Sequence, residues 1–303
     1  MNIAFYASPD IALSTFKALY EDKKHKISLL ITQADKKSGR GQKIKMSKIK
    51  EFALENNINI FQPTSSKEIF TEITKHQIDL NLVFAFGMIL KKNVLNYPKF
   101  GSVNIHTSIL PKYRGASPIT EAILNGDKET GISIMKMDEE MDHGNIITTL
   151  KIEIKEGEKA SELAERMSEL IAKNICEIVE KISSETFNEK EQNHNNASYC
   201  KKHTDKDAEI NFLEKMENVL NKIRAFDTNP KAHFFLKNGQ KLIINTATKS
   251  EKKLNPTMIE IENKRLFIGT NTNAIEIIEL TLEGKKQLKT KDFLNGYSKI
   301  FNK

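Results

Sequence analysis

The stretch that decides the fold is residues 2–31, "NIAFYASPDIALSTFKALYEDKKHKISLLI". Residues 2–6 and 27–31 are short apolar runs, and "PDIALSTFKALYED" between them has the spacing of an amphipathic helix. Two near-continuous apolar strands joined by a helix make a parallel pair buried on both faces. The alternation continues outward. "MSKIKEFALENN" (46–57) reads as a helix with Ile49, Phe52, Ala53 and Leu54 on or near one face. "INIF" (58–61) is a short strand, "KEIFTEITKHQ" (67–77) a helix and "LNLVFAF" (80–86) a strand. Right-handed crossovers then give a doubly wound, mostly parallel, Rossmann-like α/β domain. Such sheets bind ligands beyond the C-terminal ends of their strands. The first turn, "YASPDIA" (6–12), has no glycine where a dinucleotide fingerprint needs three, and the chain has no GxxxxGK[ST]. Nicotinamide and P-loop nucleotide chemistry are thus unsupported.

Farther along, "GISIMKM" (131–137) and "IITTLKIEI" (146–154) alternate like half-exposed strands. Residues 161–182 form a strongly amphipathic helix carrying Leu163, Met167, Leu170, Ile171, Ile178 and Ile182, with Ser161 as its cap. Residues 183–209 are polar and poor in aliphatics, which reads as a linker. The pattern then changes. "HFFLKNGQKLIINTA" (233–247) sets Asn-Gly between two apolar runs, a type I′ hairpin signal, and further short strands follow through residue 280. A small β-barrel, OB-like, is expected there. The division is 1–195 for the first domain, 196–206 for the linker and 207–303 for the second.

The 303 residues carry a net charge of +7. Residues 1–205 hold 29 basic against 28 acidic side chains, and residues 206–303 hold 18 against 12. Within the balanced part, residues 36–50 contain seven basic residues and no acid. Two separated basic regions point to a polyanionic partner touching both, or to a merely Lys-rich, soluble surface. No apolar run approaches the roughly 18 residues of a membrane span. The chain opens directly on a strand, so a cytoplasmic protein with nothing to remove is expected. Cys176 and Cys200 form no CxxC pair and read as one buried and one surface thiol in a reducing compartment. No metal site is expected.

The chemistry concentrates in residues 103–118, "VNIHTSILPKYRGASP". Asn104 and His106 are two apart on a strand and share a face. Asp142 lies 36 residues after His106, in "MDEEMDHGN". An amide, an imidazole and a carboxylate can together hold a carbonyl as it becomes tetrahedral and manage its protons. There is no GxSxG and no suitably placed Cys, so the attacking group belongs to the substrate. Spacing leaves His106 and His143 both open as the imidazole.

Those segments, "NIHTSILPKYRGASPI" followed by "GDKETGISIMKMDEEMDHGNII", resemble the folate-dependent formyltransferases. That family shows Asn-x-His-x-Ser-Leu-Leu-Pro, a basic-aromatic-Arg-Gly turn, Glu-Thr-Gly, and Met-Asp-x-x-x-Asp-x-Gly. The resemblance implies Asn104, His106 and Asp142 as the catalytic trio and 10-formyltetrahydrofolate as the co-substrate. Phe86, Gly87, Met88 and Ile89, with Ser108, Ile109, Leu110 and Pro111, would line the folate pocket, largely through backbone groups left open where Pro111 ends the strand. The segment "TQADKKSGRGQKIKMS" (32–47) resembles the basic insertion, here about 34–48, of the branch that acts on methionyl-tRNA, with Arg40 the matched arginine and Lys43 nearby. The implied partner is methionyl initiator tRNA, taken up by a monomer that uses the basic second domain for phosphate contacts. An amino-sugar nucleotide is the alternative acceptor, disfavoured by the basic insertion. The departures are Ala7-Ser8-Pro9-Asp10-Ile11 where the family commonly has Gly-Thr-Pro-Asp-Phe, Thr107 in place of a frequent Gly, and Ile109 in place of Leu. The second domain has "TNPKAHF" (228–234) and the chain has no Trp, where an aromatic, proline-rich turn is usual.

Overall fold

The computed structural model describes residues 1–38 and 43–301. The opening stretch forms β1 (Asn2–Ala7), α1 (Leu13–Asp22) and β2 (Lys26–Ile31). The antiparallel pair β3 (Lys36–Ser38) and β4 (Lys43–Lys45) precedes α2 (Lys48–Glu55) and β5 (Ile60–Phe61). Next come α3 (Ser66–Ile73), β6 (Leu80–Phe84), α4 (Lys92–Leu95), β7 (Ser102–His106), β8 (Arg114–Gly115) and α5 (Pro118–Leu124). The elements β9 (Glu129–Lys136), β10 (Ile146–Glu153), α6 (Ala160–Ser183) and β11 (Tyr199–Cys200) follow. The remainder comprises α7 (Met216–Ala225), β12 (His233–Phe235), β13 (Lys241–Lys249), β14 (Ile259–Glu262), β15 (Arg265–Ile268), β16 (Ile275–Leu282), β17 (Leu288–Lys289) and α8 (Thr290–Tyr297).

The chain divides into two compact units. The first comprises Met1–Ala116, Glu129–Glu153 and Ala164–Cys200. Its seven-stranded sheet has the order β10-β9-β7-β6-β1-β2-β5. The five strands from β7 to β5 are parallel, and β9 and β10 join antiparallel at one edge. The apolar runs follow from helices covering both faces. Ala4 and Tyr6 point into a cluster with Ile31, Ile69, Ile73, Val83, Phe86 and Val94. Phe5, on the other parity, meets Phe16 of α1 edge-on at 5.1 Å, and Phe16 meets Phe52 of α2 at 5.9 Å. Along α6, Leu163, Met167, Ile171, Ile178 and Ile182 are buried, as their spacing predicts. Ser168 of α6 donates to the Ile11 carbonyl at 2.8 Å, beside α1.

The second unit takes Ser117–Lys128, Ile154–Leu163 and the chain from Lys201 onward. Its six-stranded antiparallel sheet runs β12-β13-β16-β15-β14, with β17 also on β16. α7 packs against β13 and α5, and α8 against β16.

Several local readings change. Leu54 is 52 % exposed: the packed face of α2 is Ile49 and Ala53, both buried, with the half-buried Phe52 against Phe16. β9 is buried from Thr130 to Met135 rather than half-exposed, since β7 and β10 flank it. Cys200 is buried and Cys176 half-buried, so neither is the surface thiol expected; neither forms a disulfide, and burial pushes the Cys176 thiol up. The β12–β13 turn is not type I′. Leu236 and Gln240 pair through the backbone, leaving a three-residue loop with Gly239 at φ +79° and no positive φ at Asn238. That is the longer hairpin loop with a left-handed residue at its end. The polar stretch read as a linker contains β11, which pairs in parallel with β8.

Phe16→Ala removes the ring on which both Phe5 and Phe52 rest, and should cost about 3–5 kcal/mol. Urea unfolding followed through the first unit checks this, with the exposed Leu54→Ala expected to stay within about 0.5 kcal/mol of wild type.

Candidate active site

β1 lies between β2 and β6, where the strand order reverses direction. Doubly wound sheets open their ligand crevice there, beyond the strand ends. Val83 of β6 pairs with Asn104 of β7, so the turn after β6 and the end of β7 share that edge. The turn carries positive φ at Ala85 (+53°) and Gly87 (+76°). The positive φ favours glycine at 87, and a Cβ there would push on Gln33 Nε2, 2.8 Å away, which donates to the Phe86 carbonyl at 2.8 Å.

At the end of β7 the trio comes together. Asn104 Nδ2 donates to Asp142 Oδ1 at 3.2 Å. His106 Nδ1 lies 3.5 Å from Asp142 Oδ2. The other ring nitrogen, Nε2, is 2.9 Å from the Tyr113 carbonyl. A carbonyl only accepts, so Nε2 carries a proton and Nδ1 is the nitrogen left to face the carboxylate. His106 is 5 % exposed, which fixes the ring on a rigid strand end. His143, the other imidazole that spacing left open, instead pairs with Asp138 at 2.7 Å and stacks on His194 at 4.0 Å.

Asp142 itself is held in the left-handed region at φ +50°. The Gly115 N–H donates to its Oδ2 at 2.7 Å. Gln192 Nε2 donates to the carbonyls of Asp142, at 2.9 Å, and Gly144, at 2.7 Å. Gly144 must be glycine, since a Cβ would lie 2.1 Å from the Lys136 carbonyl. Gly115 is constrained likewise by φ +115° and by the Cys200 carbonyl, 2.2 Å from where its Cβ would be. Close packing of β8 on β11 thus brings the Gly115 N–H to the carboxylate.

The remaining expected residues divide. Ser108 and Leu110 are buried, and their backbone is already engaged: Leu110 N–H donates to Ser133 Oγ at 3.0 Å, and Ser133 Oγ donates to the Ser108 carbonyl at 2.7 Å. The Ile109 carbonyl accepts from Lys112 N–H and the Pro111 carbonyl from Ser198 N–H. Phe86 is buried against Tyr6, Met88 is half-buried and Ile89 is 81 % exposed. Among the described residues none accepts from the N–H groups of Gly87, Met88 or Ile89, so the open backbone edge lies there. Lys43 lies in β4 opposite Ser38, and Arg40 lies outside the described residues. Among the described residues no group of three or more His, Cys, Asp or Glu side chains could hold a metal ion, and no helix is long and apolar enough to cross a membrane. Sequence reasoning missed Gln192 and Ser133. Ser133 sits on a strand with no outward signal, and Gln192 lies inside the polar stretch taken for linker.

A formyl transferase family model matches residues 1–179, and the model for the formyl transferase C-terminal domain matches residues 202–298. The chain belongs to the formyl transferase family. A methionyl-tRNA formyltransferase of Francisella philomiragia subsp. philomiragia is 36 % identical over 302 residues, covering 98 % of this chain and 95 % of that protein. Two solved structures share the fold. A methionyl-tRNA formyltransferase from Clostridium thermocellum matches with TM-score 0.61 and 18 % identity, over 84 % of this chain and 96 % of that one. WlaRD, a sugar 3N-formyl transferase solved in the presence of dTDP and 5-N-formyl-THF, matches with TM-score 0.68 and 22 % identity, over 94 % and 99 %. The family's fold is thus the Rossmann-like sheet followed by the antiparallel second unit.

Gly115→Ala must both leave a left-handed backbone and displace the Cys200 carbonyl. The backbone strain alone is about 1–3 kcal/mol. The expected result is a lower melting temperature and faster amide exchange at Arg114–Ala116, read by mass spectrometry; unchanged exchange would mean that the close packing of β8 on β11 does not require glycine at 115.

Proposed function

We infer that the protein transfers the formyl group of 10-formyltetrahydrofolate to the free α-amino group of methionyl initiator tRNA, giving N-formylmethionyl-tRNA. The observation that carries the reading is the meeting of Asn104, His106 and Asp142 at the end of β7, in a member of this family. The relative named methionyl-tRNA formyltransferase, matched over 95 % of its length, supports the choice of acceptor. The basic stretch at 36–50 supports it further, because a tRNA acceptor end is a polyanion.

In this reading the folate supplies a formyl carbon already activated by its bond to nitrogen. Asp142, with water, takes the proton that frees the amine. As the new C–N bond forms, the second N–H of the Asn104 amide and a protonated His106 Nδ1 steady the carbonyl oxygen. His106 then gives its proton to the folate nitrogen as the old C–N bond breaks, and the second proton of the attacking amine passes through water to His106, so that the formamide leaves neutral and the ring is protonated again. The rigid strand and the fixed ring supply preorganised donors rather than covalent help. Phe86, Gly87, Met88 and Ile89, with Ser108, Ile109, Leu110 and Pro111, form the folate side. The free N–H groups at 87–89 give it its directional contacts, and the carbonyls of 108, 109 and 111 keep one lone pair each for it.

Arg40 and Lys43, in the basic segment 34–48, meet the acceptor end, and the second domain, 207–303, tracks the stem with its +5 charge. The first domain, 1–195, carries the chemistry, and 196–206 joins the two. The protein acts as a cytoplasmic monomer.

Formyl transfer assayed with methionyl initiator tRNA, methionyl elongator tRNA and an amino-sugar nucleotide tests the reading. Transfer to the initiator alone is expected; transfer only to the sugar nucleotide would overturn the acceptor. His106→Ala should lower turnover about 10²–10³-fold with both substrates bound, the usual effect of losing one oxyanion donor. Lys43→Ala should raise KM for the tRNA, leave folate affinity unchanged and flatten the dependence of log KM on log salt by about 0.7–0.9 per lost phosphate contact.

A further inference from the structure

Arg114 is 2 % exposed, the largest side chain to be so fully buried. Burying a guanidinium is costly unless each donor is met. Among the described residues no carboxylate pairs with it. Its Nη2 donates to Gln192 Oε1 at 2.7 Å and to His194 Nδ1 at 2.8 Å, its Nε reaches Gln192 Oε1 at 3.3 Å, and its Nη1 reaches the Tyr199 hydroxyl at 3.4 Å. Gln192 is itself 4 % exposed. Its carboxamide oxygen is taken by Arg114, which fixes the amide orientation, so the Nε2 protons must point the other way. They go to the carbonyls of Asp142 and Gly144. Asp142 has a left-handed backbone, which Asp adopts more readily than most residues, and hydrogen bonds to both its carbonyl and its carboxylate hold it there.

The same short segment therefore grips Asp142 from two sides. The Gly115 N–H binds its carboxylate, and Arg114, one residue earlier, locks the glutamine that binds its main chain. We propose that Gln192, locked by Arg114, is a positioning residue for formyl transfer. It sets the backbone of Asp142, and through it the distance between the carboxylate and His106 Nδ1. Gln192 touches no substrate in this account. It acts by holding a charged group within the tolerance that proton handling requires, and a displacement of about 1 Å in such a group commonly costs about 10²-fold in rate. The proposal rests on the formyl-transfer reading above.

The test uses the full chain with Gln192→Met, which keeps length and removes both amide partners, and Gln192→Glu, which keeps a strong partner for Arg114 but offers the two carbonyls no donor. Glu191→Ala, on the exposed neighbour, is the control. Three quantities are read: the single-turnover rate with both substrates saturating, the dissociation constant for 10-formyltetrahydrofolate, and the nitrogen-15 resonances of the His106 ring without substrate. The expected result is a loss of about 10²-fold in rate for both Gln192 variants. Folate affinity and melting temperature should stay near wild type for Gln192→Glu, the His106 Nδ1 signal should move in both variants, and Glu191→Ala should match wild type. If Gln192→Met fails to fold, Gln192→Glu decides. A folded Gln192→Glu with the wild-type rate and an unmoved His106 signal overturns the proposal. Should the wild type transfer no formyl group to methionyl-tRNA, the functional reading fails; the ring resonances, which need no substrate, then still decide whether Gln192 positions the trio.

Discussion

The carboxylate of Asp142 accepts a hydrogen bond from the backbone of Gly115 and another from Asn104, and it faces His106 at 3.5 Å. Everything else near the end of β7 is arranged around that one group. A hydrogen bond to a charged acceptor contributes about 1.5–3 kcal/mol. That is comparable with the cost of holding Asp142 in the left-handed region, about 1–3 kcal/mol. The balance is met only if Gly115 and Gly144 remain glycine, because each lies where a Cβ would strike a carbonyl at 2.1–2.2 Å. The constraint thus reaches from one side chain to the pairing of β8 with β11 and to the approach of the 138–144 loop to the end of β9.

The sheet explains why the trio sits where it does. Five parallel strands end at one edge, and the reversal of order at β1 opens that edge between β1 and β6. β7, one strand farther, delivers Asn104 and His106 to the rim with both side chains on one face. Ser133 of β9 then ties down residues 108–110, so the chain beyond β7 is a firm wall. The open N–H groups fall instead on the turn after β6, which Gln33 braces through the Phe86 carbonyl.

The parallel sheet was legible in the sequence because its central strands are buried on both faces, which leaves apolar runs such as 3–7 and 82–84. Residue types offered Asn104, an imidazole and Asp142 as one possible group, the resemblance singled out His106 over His143, and the geometry brings Asn104, His106 and Asp142 together. What was not legible follows from elements too short or too polar to leave a pattern. β11 is two residues long, one of them exposed, and its role is to pair with β8 rather than to fill a core. Gln192 is a buried polar side chain among exposed ones, and nothing in "NEKEQNHNN" distinguishes it. The β12–β13 turn shows the limit of a dipeptide signal: Asn-Gly allows a two-residue turn, but the pairing of Leu236 with Gln240 fixes the longer one.

The central claim is that Asn104 and Asp142 act as one assembly, the carboxylate holding the amide that steadies the transferred carbonyl oxygen. A double-mutant cycle tests this directly. The single-turnover rate of formyl transfer is measured for wild type, Asn104→Ala, Asp142→Ala and the double variant. Residues in one hydrogen-bonded network couple by about 0.5–3 kcal/mol. The account predicts that the double variant is little slower than the slower single one. Losses that simply multiply would mean that the two groups act independently, and would contradict it.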